Sequence, residues 1–150
     1  MNKYDAVKQL IEANSGDINL GEYGAGDGPS QSQIAIVQKL LGVTFPPSYI
    51  WWLNNYGGGE IKGEEIFSIY ETPGISGGDI VYVNELNREN GLINTSQLVI
   101  QYSDLNGIFF FDLSHPDLDG EYEVYNNPSE PRKYAHDFLD FLERRITDKY

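Results

Sequence analysis

The chain has 150 residues, 40% of them hydrophobic and 13% aromatic, with a formal net charge of −13 and no cysteine. This composition excludes a mainly disordered chain, a disulfide framework, thiolate metal sites and cysteine nucleophiles, and it predicts a single domain over residues 1–150. From Glu60 to Glu130, fourteen acidic residues stand against only Lys62 and Arg88, a balance that disfavours direct nucleic-acid or anionic-membrane binding and favours a basic partner.

The N-terminal stretch "MNKYDAVKQLIEANSGD" holds no apolar h-region, and no segment reaches the length of a membrane span. A cytoplasmic location is therefore expected. Tyr4, Val7, Leu10 and Ile11 recur at helical spacing, predicting a helix over 3–13 that stops at Asn14-Ser15-Gly16. "GDINLGEYGAGDGPS" reads as loop. Its glycines suggest a phosphate cradle, but no strand precedes them, no G-K-[ST] ending follows, and Glu22 and Asp27 would repel a phosphate. Ser30-x-x-Gln33 is a capping-box signature, opening a helix with Ile34, Val37 and Leu41 on one face and Gly42 at its end.

"TFPPSYIWWLNNYGGG", residues 44–59, reads as a short capped helix. Proline suits its first turn, where an amide has no intrahelical partner. Tyr49, Trp52, Leu53 and Tyr56 form one apolar stripe, and Gly57 falls at the left-handed C′ position. Trp52 belongs to the buried face; Trp51, about 100° away around the helix, does not share it.

"EIKGEEIFSIY" alternates as one or two strands, followed by the loop "ETPGISGG". Asp79 is positioned to cap a helix with Ile80, Val83 and Leu86 inward, ending at Asn90-Gly91. "QLVIQY" and "GIFFFD" are strands joined by the turn "SDLNG". In "EYEVYN", Tyr122 and Val124 share one face, and "NPSEPRK" reads as a proline-broken loop. A last helix starts near Asp137 and presents Phe138, Phe141, Leu142 and Ile146 together. No repeat or linker divides the chain. The order predicts an α+β fold with a mainly antiparallel sheet of about four to six strands packed against helices.

Catalytic constellations are not apparent. His115 and His136 are the only histidines and lack metal-ligand spacing, and no G-x-S-x-G elbow is present. "HPDLDGEYE" has half the character of a calcium loop, but Asn126 would stand where a bidentate glutamate is required. It reads better as a turn with exposed acids. Glu64 and Glu65 are adjacent on a strand, point to opposite faces, and so cannot act as a catalytic pair. No enzyme activity, cofactor or metal is expected.

"FPPSYIWWLNNYGGGEI" resembles the signature of the SUKH superfamily, which includes the Smi/Knr-type cell-wall assembly regulators and bacterial immunity proteins. Phe45, Pro46, Tyr49, Trp52 and Leu53 match its "LP-x-x-Y-x-x-F-L" pattern, and Gly57-Gly58 match its stop. "LVIQYSDLNGIFFFDLS" is similar to the family's paired strands, and "DFLDFLERRI" to its closing helix, so the resemblance spans most of residues 30–147. The chain departs from it at "SDLNGIFFF", where many members carry a glycine-acid pair before the second strand.

The resemblance implies a non-enzymatic protein that acts by binding. It points to a cytoplasmic antidote that neutralises a cognate basic toxin, with a nuclease as the expected class, or alternatively to a regulatory scaffold. Acidic surface suits the first reading, because a nuclease presents a basic face to phosphates. The expected contacts are Trp51, Glu60, Glu64, Glu71, Asp104, Asp117, Asp119, Glu121 and Tyr122. A monomer or a weak homodimer is compatible with apolar strand edges.

Overall fold

The computed structural model describes residues 2–20, 28–70 and 79–147. Glu71, with all of "ETPGISGG", and most of the glycine-rich "GEYGAGDG" fall outside the described residues. Among the described residues, five helices accompany a seven-stranded sheet: α1 (Lys3–Ala13), β1 (Ile18–Asn19), α2 (Gln31–Leu41), α3 (Pro47–Tyr56), β2 (Gly59–Ile61), β3 (Glu64–Ile66), α4 (Ile80–Glu89), β4 (Gln97–Ser103), β5 (Gly107–Asp112), β6 (Val124–Asn126), β7 (Arg132–Ala135) and α5 (Phe138–Thr147). The strands follow one another across the sheet in chain order, and every neighbouring pair is antiparallel. The α+β class therefore agrees with expectation, but the strand count of four to six is corrected to seven.

The strands that were not anticipated are the two edges. β1 is two residues long and lies within a stretch too short and polar to alternate; β7 begins on the last two residues of the segment that reads as a proline-broken loop. Both are strands because a neighbour pairs with them: Ile18 with Ile61, and Arg132 with Asn126. In the middle of the sheet, β4 bulges between Val99 and Gln101.

Local helix signals operate as their residues dictate. Asn2 caps α1, the Ser30–Gln33 capping box opens α2, Asp79 caps α4, and Asp137 accepts from the Asp140 amide at 2.8 Å to start α5. Gly57 ends α3 in the left-handed region at φ 71°, where a side chain would be strained. Trp52 and Leu53 of that helix are fully buried.

Side-chain alternation sends Phe109 and Phe111 to one sheet face, where they meet Phe141 and Phe138 of α5 with centroids 5.2 and 5.9 Å apart. Tyr49 completes this aromatic core, edge-on to Phe45, Phe111 and Phe138, and its hydroxyl donates to the Phe67 carbonyl at 2.6 Å. On β4, helix α4 contributes polar rather than purely apolar contacts. Asn84 accepts from the Val99 amide at 2.7 Å and donates to the Val99 carbonyl at 3.0 Å. It thus pairs a stretch of β4 that β3 leaves open, since the β3–β4 ladder is limited to Ile66 and Gln101. Leu86, expected to face inward, is 40% exposed; Asn84 and Asn87 take the buried face instead.

Candidate functional site

The N-terminus of α3 lacks a capping side chain of its own, because its N-cap is Pro46 and its first residue Pro47. A distant carboxylate supplies the cap. Glu121 Oε2 accepts from the Ser48 amide at 2.9 Å, and Oε1 accepts from the Ser48 hydroxyl. Negative charge at this position also complements the helix dipole. Burial pushes the Glu121 carboxyl above its ordinary range; the Ser48 bonds oppose this, and repulsion from Asp137 and Asp117 adds to it.

This contact anchors the segment after β5. Within it Asp117 Oδ1 accepts from the amides of Asp119 and Glu121 at 2.8 and 2.9 Å, and the Asp117 amide donates to the Glu121 carbonyl at 2.9 Å. The turn holds Leu118 wholly exposed between the exposed Asp117 and Asp119. One helical turn beyond Ser48, Trp51 is half-buried and edge-on to Tyr4 of α1 at 5.2 Å and to Tyr56 at 5.6 Å. Tyr4 links the two halves. After burial, the charges of Glu121, Asp137 and Asp119 are what hold its phenol above the ordinary value. Trp51 and the carboxylates of Glu121, Asp137 and Asp119 thus surround Tyr4, with Asp137 paired to Lys3 at 3.0 Å and Asp117 tied to Glu121 within the turn. The arrangement offers apolar anchors inside a rim of carboxylates, which suits contact with a protein surface.

The family model described as SMI1 / KNR4 family (SUKH-1) matches residues 28–144. The chain belongs to this family. No curated protein matches it. The matched SMI1/KNR4 region runs from the approach to α2 into α5, so α1, which carries Lys3 and Tyr4, lies outside it. The aromatic-acidic surface is therefore assembled from the SMI1/KNR4 domain and an N-terminal helix preceding the match.

Other expected contact residues are placed elsewhere on the domain. Glu60 lies on β2 directly opposite Glu65, half-exposed. Glu64 points toward α5, where it forms a salt bridge with Arg145, and its second oxygen accepts from the Asp104 amide at 2.8 Å. Glu65 accepts from the Tyr70 hydroxyl on the other face, so the two adjacent glutamates diverge as strand geometry requires. Asp104 is exposed on the β4–β5 turn. Tyr122 is buried against Phe111, which leaves its ring with the core. His115 and His136 are exposed, and among the described residues no three His, Cys, Asp or Glu side chains are grouped to hold a metal.

Tyr4, Leu118 and Asp137 join the surface without having been singled out by sequence. For Leu118 the available signal is its position: a large apolar residue flanked by acids inside "HPDLDG", a turn that otherwise has no use for one.

Proposed function

We propose that this domain acts by binding, as an immunity protein that holds a basic toxin, a nuclease being the favoured class, in a tight complex in the cytoplasm. Leu118 carries the reading: it is an apolar side chain fully in solvent, flanked by two aspartates and held by a hydrogen-bonded turn that Glu121 fastens to Ser48 at the start of α3. Membership of the SMI1/KNR4 family and the net acidity of residues 60–130 support it. Leu118 and Trp51 serve as anchors, while Asp117, Asp119 and Asp137 steer a basic face toward them. Glu121 positions the turn. Glu60 and Asp104 extend the acidic field on another part of the surface.

A tagged pull-down from the native host, washed at low and at high salt, tests this. One stoichiometric basic partner carrying a toxin domain, associating more slowly as salt rises, is the expected result. Many substoichiometric partners would instead indicate a regulatory scaffold. Kinetics unchanged by the combined Asp117→Lys, Asp119→Lys and Leu118→Glu substitutions would overturn the assigned surface.

A further inference from the structure

The sheet face opposite the aromatic core carries a second feature. Alternation along β5 turns Phe110 and Asp112 away from α5, and register places Phe110 against Tyr125 and Asp112 against Gln97. The rings of Phe110 and Tyr125 stack with centroids 6.1 Å apart and planes 26° apart. Together with Ser96, Gln97 and Pro131 they line a cleft of about 210 Å3. Its walls are fixed: Gln97 accepts from the Asn94 amide at 3.1 Å, and Asp112 Oδ1 accepts from the Ser114 amide at 3.0 Å.

Size and charge select the occupant. A drug-sized ligand fills roughly 300–1,000 Å3, so this cleft suits one long side chain. Glu123, beside Tyr125, is paired with Lys133, whereas Asp112 forms no ion pair among the described residues. An unpaired carboxylate beside an aromatic face is complementary to a cation. A planar guanidinium satisfies both at once, stacking on the ring while its N–H groups meet the carboxylate; an ammonium does so less well. We infer, on the same reading of a basic protein partner, that the cleft receives a single arginine side chain of that partner, with the guanidinium on Tyr125 and paired to Asp112.

The test is a titration of the intact protein with N-acetyl-arginine methylamide, followed by amide chemical shifts, with the lysine and citrulline analogues as comparisons. Saturable shifts at Ser96, Gln97, Asp112 and Tyr125 are expected with arginine, weaker ones with lysine and none with citrulline. Asp112→Asn keeps an acceptor for the Ser114 amide and should weaken arginine binding about tenfold, as loss of one charge-assisted pair does. Tyr125→Leu should weaken it independently of charge. Equal responses to arginine and citrulline, tighter lysine binding, or shifts centred elsewhere would overturn the assignment. Partner capture that survives Asp112→Asn, with no arginine response in the parent protein, would overturn the cleft and leave the proposed function standing. A normal arginine response without any basic partner would do the reverse.

Discussion

Glu121 accepts two hydrogen bonds from Ser48, one from its amide and one from its hydroxyl, across 73 positions of the chain. The helix that carries the family motif is thus capped by the same turn that presents Leu118. Stability of the fold and shape of the proposed binding surface are coupled through one carboxylate.

That carboxylate gives a pH signature. Burial lifts the folded pKa of Glu121 above its ordinary 4.5, so above that pH the native state holds the proton more tightly than the unfolded chain. Its contribution to stability therefore falls as pH rises through the folded value. Asp140 has the opposite sign. Burial would raise its pKa, but the His136 amide, Arg144 and Lys3 together lower it, so its contribution is lost as pH falls. Relative to the parent, Glu121→Gln should gain stability as pH is raised from 4.5 toward neutrality, in urea unfolding at a series of pH values. A variant that instead loses ground over that interval would show that the Ser48 bonds outweigh burial.

Tyr49→Phe should cost about 1–3 kcal/mol, the penalty for stranding a buried carbonyl. The ring fills the same space, but Phe67 loses the hydroxyl that donates to it at 2.6 Å. Chemical denaturation with an unchanged slope is the check. A loss below about 0.5 kcal/mol, the range of ordinary surface changes, would mean that the Phe67 carbonyl finds another donor.

Asn84→Leu keeps the branching of the side chain, with a somewhat larger volume and a higher helix propensity, but leaves both the amide and the carbonyl of Val99 without the bonds they make to Asn84. The expected loss is about 1–3 kcal/mol for each stranded group. Hydrogen exchange at the Val99 amide should accelerate more than at Phe111, one strand away. Uniform acceleration would point to a global rather than a local role.

Leu118→Ser separates binding from folding. The side chain is fully exposed, so stability should stay within about 0.5 kcal/mol of the parent. Partner dissociation should speed by roughly fivefold or more if Leu118 is an anchor worth over about 1 kcal/mol. Surface plasmon resonance against the captured partner measures both rates. An unchanged dissociation rate would remove Leu118 from the interface.

Much of the helical structure was legible in the residues themselves. The Ser30–Gln33 box, proline in the first turn of α3, Asp79 at the cap of α4 and Gly57 in the left-handed region each act within about one turn of chain. The apolar stripe of α3 likewise placed Trp52 inside. Leu86 marks the limit of such patterns: its spacing suits a buried face, but Asn84 and Asn87 bury there because backbone and hydroxyl groups await them on β4.

The candidate surface was only half legible. Acidity and the separation of Trp51 from Trp52 pointed toward it, yet no local pattern could show that Glu64 is paired with Arg145 or that Tyr122 is buried. Composition and short-range spacing determined the class, the helices with their caps, and the family motif, because those depend on torsions and hydrogen bonds between near neighbours. Tertiary structure alone decided the edge strands β1 and β7, the capping of Ser48 by Glu121 and the convergence of Trp51, Tyr4 and Leu118's turn. Each of these requires a partner far along the chain, brought close only when the core forms.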